Sequence, residues 1–276
     1  MQQIDIKDKV VLITGASSGI GAATARAFHQ AGAKIAIAAR RREKLEEVAN
    51  ELENVLILET DLSDDSKAAG MVDLTIRHFG RIDILVNNAA TIIVSPAESV
   101  SSEDLLLAYK TNLIAPVIAA QRAIQFMKTK GGCHIINVGS PGFMMGIPFY
   151  APYVCSKAAF SAWTRTLQAE LAGSNVVVSE YFPGYVRTDS RPESRVGEVD
   201  QDFLMSEKQN AIARHFTKPQ TPEIIARQLV NLARHPRTLT YSSLSVHIGA
   251  WIALFSSFRL NLSKEMAATA RIKQNQ

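Results

Sequence analysis

Tyr153 and Lys157 stand four residues apart in Tyr153-Val154-Cys155-Ser156-Lys157, at the start of a helix-like stretch. Residues at i and i+4 share a helix face, so the ammonium can sit close to the phenol. Free tyrosine titrates near about 10 and is a poor base at neutrality, but a neighbouring cation favours the phenolate and lowers that value. Such a pair can act as general acid and base. The spacing is also common by chance, and a surface tyrosine packed on a lysine stem is the competing reading. Cys155 lies between the two with no His or Asn partner indicated. Neighbours on a helix face different ways, so Cys155 reads as core rather than nucleophile.

A second pattern is suited to holding an anion. Thr14-Gly15-Ala16-Ser17-Ser18-Gly19-Ile20-Gly21 lies where an apolar run gives way to a helix-like stretch. Glycines there let the backbone approach a pyrophosphate, and the helix N-terminus offers free N–H groups and a partial positive charge. A tight turn with no ligand is the alternative. Arg40, Arg41 and Arg42 form the third pattern. Read blandly they are a solvated face, yet three arginines at a helix N-terminus oppose the macrodipole and would be relieved by an anionic partner.

The elements that would position these residues follow from the apolar runs. Lys9–Thr14, Lys34–Ala39, Val55–Glu59, Ile82–Asn87, His134–Val138 and Val176–Phe182 alternate with helix-like stretches of ten or more residues. Unalternated apolar strands between helices predict one doubly wound α/β domain of Rossmann type, a parallel sheet covered by helices on both faces. No repeat or proline-rich linker divides it. Residues 189–218 interrupt the rhythm before the helix that Thr221-Pro222-Glu223 should cap, and read as a substrate lid or a surface insertion. In the tail, 252–276, Phe255, Phe258, Leu262 and Met266 fall at helical spacing, which predicts a face packed on the body or on a partner. A membrane-surface role for that tail is a less favoured reading.

With 276 residues, 47% of them hydrophobic and 20% charged, the chain can bury a large core. The net charge of +4 is scattered, so no basic stripe suggests nucleic acid. The two cysteines, Cys133 and Cys155, and the six histidines form no metal-ligand pattern. The start lacks a signal-peptide pattern, and the stretch from Leu244 to Leu260, broken by His247 and Arg259, falls short of the roughly 20 apolar residues of a membrane span. The expectation is a reduced, cytoplasmic compartment.

Taken together, these motifs resemble the short-chain dehydrogenase/reductase family over about Lys7 to Trp251. The family's nucleotide loop, TGxxxGxG, matches Thr14, Gly15, Gly19 and Gly21. Asp61-Leu62 resembles its adenine-edge contact. Asn87-Asn88-Ala89-Ala90 resembles its NNAG segment, with Ala90 replacing the glycine. Pro183-Gly184-Tyr185-Val186-Arg187-Thr188 resembles its PGxxxT motif.

The resemblance implies a nicotinamide cofactor held by Gly15, Ser17, Ser18, Gly19, Ile20, Gly21, Asp61, Leu62, Asn88, Ala89, Pro183, Gly184, Val186 and Thr188, with Tyr153 and Lys157. NAD-selective members carry Asp where this chain has Ala39. With Arg40 and Arg41 following, the expected cofactor is NADP(H), whose 2′-phosphate a guanidinium binds and a carboxylate repels. By resemblance the catalytic set is Asn112, Ser140, Tyr153 and Lys157. Ser140 would donate to the substrate oxygen, Tyr153 exchange the proton, Lys157 lower the tyrosine pKa and bind the ribose, and Asn112 hold a relay water. The family's usual Ser-Ser pair here reads Gly139-Ser140.

The implied activity is hydride transfer between NADP(H) and a carbonyl or alcohol. Pocket candidates Pro141, Phe143, Met144, Met145, Phe149, Tyr150, Tyr181 and Tyr185 favour a hydrophobic aldehyde or ketone. A cofactor-binding regulatory or scaffold protein without catalysis is the alternative. By analogy with the family a homodimer or homotetramer is expected, with no metal and no nucleic acid partner.

Overall fold

Every apolar run read from the sequence becomes a strand, because each packs apolar side chains on both faces of the sheet and so needs no polar alternation. The structure, a computed structural model, describes residues 3–129, 133–186 and 219–252. The strands are β1 (Val10–Thr14), β2 (Lys34–Ala39), β3 (Leu56–Glu59), β4 (Ile84–Asn87), β5 (Cys133–Val138), β6 (Val176–Phe182) and β7 (Leu239–Tyr241). They form one seven-stranded sheet in the order β3-β2-β1-β4-β5-β6-β7, and every pairing in it is parallel. The expected α/β architecture is therefore the one observed. β7 escaped the sequence reading because three residues are too few to show a period.

Successive side chains on a strand face opposite sides of the sheet, and β1 shows the consequence. Val11 and Ile13 join one apolar cluster, which also contains Phe28, Leu45 and Leu229. Leu12 between them joins the other, with Met71, Ala119 and Leu167. The first cluster is closed by α1 (Gly19–Gln30), α2 (Arg42–Ala49) and α8 (Pro222–Arg234). The second is closed by α3 (Asp65–Phe79), α5 (Ala115–Met127) and α7 (Ala151–Glu170). Short helices α4 (Ser102–Tyr109) and α6 (Gly142–Met145), with α9 (Leu244–Ile252), complete the described α-helices. Thr221 and Pro222 do open α8, as their types predict.

Strand order reverses between β1 and β4, so the loops after these strands diverge and leave a crevice at their C-terminal ends. The chain after β1, β4, β5 and β6 meets there. The lid assigned to 189–218, the tail beyond Ile252 and Thr188 lie outside the described residues. No helix among the described residues is long and apolar enough to cross a membrane.

Candidate active site

At the mouth of β1 the backbone is compressed in a way only glycine allows. Gly15 has φ +68, and a Cβ there would lie 2.8 Å from the Cα of Ala89. A Cβ on Gly21 would lie 2.2 Å from the carbonyl oxygen of Gly15. The turn thus folds tightly over the start of α1. Ser18 is the N-cap of that helix but its hydroxyl does not cap the first N–H groups, and the first turn carries no acidic residue. The N–H groups of Gly19, Ile20 and Gly21 are left for an anion, which fits a pyrophosphate.

The loop after β4 locks onto this turn. The Thr14 hydroxyl accepts from the N–H groups of Asn88 and Ala89, each at 3.0 Å. The Asn88 amide donates to the Thr14 carbonyl at 2.9 Å. Asn88 therefore acts here as a brace that shapes the cradle. Leu62 likewise is a core side chain, leaving its backbone as the part able to meet a ligand.

Beyond β2, Ala39 ends the strand without a carboxylate. Arg41 Nη2 donates to the hydroxyls of Ser17 and Ser18, both at 3.1 Å, so this guanidinium lies against the glycine-rich turn. Arg40 lies toward Asp61. Burial would raise that carboxyl, but hydrogen bonds from the Ser63 N–H and hydroxyl, with the Arg40 and Lys67 charges, hold it below the ordinary range. The sequence placed the two arginines together. The structure sets Arg41 against the glycine-rich turn and Arg40 near Asp61.

The residues expected to form the catalytic set gather around the meeting of β5 and α7. Ser140 follows the strand, its hydroxyl accepting from the Gly142 N–H at 3.2 Å and lying beside the Tyr153 phenol. The Lys157 ammonium is buried and donates to the Val138 carbonyl at 2.9 Å. Asn112 sits in a π-turn, Lys110–Ile114, between α4 and α5, an irregularity often found at functional sites. Its amide accepts from the Thr91 N–H at 2.7 Å and donates to the Thr91 carbonyl and the Ser156 hydroxyl, each at 2.9 Å. Ser156 in turn donates to the Tyr153 carbonyl at 2.9 Å. Asn112 thereby ties the π-turn to the loop after β4 and to α7, with both of its amide N–H groups committed.

Two electrostatic features correct the sequence reading. Tyr153 was expected to be lowered by Lys157. Instead burial raises the phenol, opposed by the Ser140 hydrogen bond. The reason is that the Lys157 ammonium is anchored on the Val138 carbonyl, and burial pulls it down to about 8 against the pull of Glu180. Cys155, expected in the core, is exposed, because it lies on the opposite side of α7 from buried Ser156 and Lys157. Among the pocket candidates, Tyr181 is fully buried and its hydroxyl donates to Gln228, so it is a core residue. Phe143, Met144, Phe149 and Tyr150 remain half-buried near the site.

After β6, the Gly184 N–H donates to the Ser242 hydroxyl at 2.7 Å, and Val186 bridges to Gln220. This fixes the turn beginning at Pro183. Glu180 was missed by the sequence reading, although a carboxylate inside the apolar run Val176–Phe182 is itself a signal. Among the described residues no group of three or more His, Cys, Asp or Glu is placed to hold a metal ion.

Comparison with known proteins agrees with this geometry. The short chain dehydrogenase family model matches residues 9–198. An uncharacterized oxidoreductase, YxnA, of Bacillus subtilis (strain 168) is 33% identical over 244 residues, covering 86% of this chain and 65% of the relative, so the chain spans somewhat under two thirds of that protein's length. Among solved structures, a 3-ketoacyl-(acyl-carrier-protein) reductase from Brucella melitensis complexed with NADH is 27% identical with a TM-score of 0.75, covering 86% of this chain and 96% of that one. A short chain dehydrogenase from Burkholderia cenocepacia J2315 in complex with NADP is 25% identical with a TM-score of 0.74, covering 86% and 97%. With its parallel sheet, glycine-rich turn and Ser140, Tyr153 and Lys157 assembled at the strand ends, this chain belongs to the short-chain dehydrogenase/reductase family of oxidoreductases.

Proposed function

We propose that the chain transfers a hydride between NADP(H) and a hydrophobic carbonyl or alcohol compound, with reduction of the carbonyl as the favoured direction. The observation that carries this reading is the juxtaposition of the Ser140 hydroxyl and the Tyr153 phenol, with buried Lys157 one helix turn on, at the mouth of the cradle. It joins an acid to a second hydroxyl donor where the oxygen of a carbonyl would have to sit.

The cofactor supplies the hydride when bound; the protein's own groups do the rest. Gly19, Ile20 and Gly21 offer N–H groups to the pyrophosphate, and Lys157 binds the nicotinamide ribose, the role implied by the family. Ser140 donates to the substrate oxygen and stabilises the charge that develops on it. Tyr153 gives its hydroxyl proton to that oxygen as the carbon accepts the hydride, leaving an alcohol. Because burial raises the Tyr153 phenol, it enters the cycle protonated, as a proton donor must.

Ala39 and Arg41 support NADP(H) over NAD(H). The place of the usual carboxylate is empty of charge, and the guanidinium with two serine hydroxyls forms a donor cluster suited to a phosphate. The relatives with bound cofactors include both types, so the preference rests on these residues. Phe143, Met144, Phe149 and Tyr150 favour an apolar substrate.

The test is fluorescence titration with NADPH and NADH, followed by NADPH oxidation with a panel of aldehydes, ketones and quinones, using Tyr153→Phe as control. Tight NADPH binding and turnover lost in Tyr153→Phe is the expected result. Turnover indifferent to Tyr153 would overturn the catalytic reading in favour of a cofactor-binding protein without catalysis.

A further inference from the structure

The row that begins with Tyr153 and Lys157 continues along α7 at the same four-residue spacing with Ser161 and Arg165. Arg165 Nη2 donates to the Ser161 hydroxyl at 3.1 Å, and its Nε to the Ser161 carbonyl at 3.4 Å. The Ser161 hydroxyl also lies against the carboxylate of Glu180. Glu180 comes from β6, where it pairs with Asn137 of β5. It is 2% exposed, and its Oε1 has no hydrogen-bond partner.

Room for this carboxylate depends on the residue before Ser140. A Cβ on Gly139 would come within 3.2 Å of Glu180 Oε1. The glycine that departs from the family's Ser-Ser pair therefore leaves space for a carboxylate directly behind the catalytic serine.

A carboxylate so enclosed is costly unless opposite charge faces it. From α7 it is faced by the buried Lys157 and by Arg165 at the exposed end of the row. From β7 it is faced by Tyr241, a phenol raised by burial and by Glu180 itself. Lys157, in turn, meets the Val138 carbonyl and the ring of Phe160, 5.5 Å from its centroid. Neither of these carries charge, and Glu180 is the anion acting on the ammonium.

We propose that Glu180 is a positioning residue for Lys157: from behind the strand ends its carboxylate holds the ammonium charged, and so sets the upper pH limit of turnover. The proposal rests on the hydride-transfer reading above. Burial pulls Lys157 down to about 8 while Glu180 opposes that fall. Burial raises Glu180 to about 7, against the Ser161 hydrogen bond and the Arg165 and Lys157 charges. Above that point the carboxylate is ionised, which is where Lys157 most needs it.

The test compares the full chain with Glu180→Gln and Glu180→Asp, reading kcat and KM for an accepted aldehyde, NADPH affinity by fluorescence, and melting temperature, from about pH 6 to about pH 9. In Glu180→Gln the alkaline limb of kcat/KM is expected to move toward neutrality by about one pH unit. The profiles should converge near the acidic end, and Glu180→Asp should restore part of the shift. An unmoved limb overturns the proposal. So does a loss equal at every pH that tracks a lower melting temperature, which would make Glu180 a packing residue. If the wild-type chain shows no Tyr153-dependent turnover, the hydride-transfer reading fails separately. The pH at which NADPH affinity falls then carries the test: the same shift in Glu180→Gln supports the proposal, and its absence overturns it.

Discussion

The ring of Phe182 occupies the space that a side chain on Gly139 would need: a Cβ there would lie 2.4 Å from Cε1 of Phe182. Phe182 cannot easily yield. It is buried, with Phe143 edge-on at 5.9 Å and Tyr241 tilted against it at 5.2 Å. The missing first serine of the family pair is thus matched by a large side chain on the adjacent strand.

Restoring that serine should therefore do harm. Gly139→Ser is expected to destabilise by about 1–3 kcal/mol through overpacking and to lower kcat by displacing Ser140. Adding Phe182→Leu should recover part of both losses. Thermal melting of the two single variants and the double variant gives the coupling; strictly additive effects would show that the two positions do not compete for one space.

Cofactor choice should follow Arg41 more than Arg40, because Arg41 reaches the Ser17 and Ser18 hydroxyls. Arg41→Ala is expected to weaken NADPH binding by roughly tenfold or more while changing NADH little, given the usual worth of a charge-assisted hydrogen bond. Ala39→Asp should turn the preference toward NADH. Fluorescence titration reads both, and equal losses for the two cofactors in Arg41→Ala would refute the assignment.

Gly21→Ala and Gly70→Ala make a contrasting pair. At Gly21 the new methyl meets the Gly15 carbonyl, a backbone atom, at 2.2 Å. Cofactor binding and melting temperature should both fall. At Gly70, inside α3, nothing lies within 4 Å, so alanine should stabilise by about 0.5–1 kcal/mol. A neutral Gly21→Ala would mean that the turn over α1 is looser than its geometry indicates.

Acid sensitivity should trace partly to His134. It is buried on β5, hydrogen-bonded to the Ser179 hydroxyl at 2.7 Å, and burial lowers it from 6.5 to about 3. The unfolded chain takes up this proton below its ordinary value while the folded chain refuses it. Stability from this group is therefore complete above about 6.5 and is lost as pH falls toward 3, at up to about 1.4 kcal/mol per pH unit. A His134→Gln variant should show a flatter fall in melting temperature between those limits; parallel curves would remove His134 as the cause.

Much of this protein was legible in its residues alone. Six apolar runs marked six of the seven strands, since a strand buried on both faces must be apolar throughout. The glycine-rich turn and the Tyr153–Lys157 spacing carried their chemistry in local geometry, which depends on chain neighbours only. What needed the tertiary structure was every relation between residues distant in sequence. Arg41 could be separated from Arg40 only once α2 was placed beside the turn after β1. Lys157 was expected to act on the Tyr153 phenol one turn away, but its long side chain donates to the Val138 carbonyl at the end of β5. Burial, which raises Tyr153 and Glu180 and lowers Lys157, is a property of the packed whole. Spacing along the chain determined which groups share a helix face; packing decided which charges lose their water and which partners replace it.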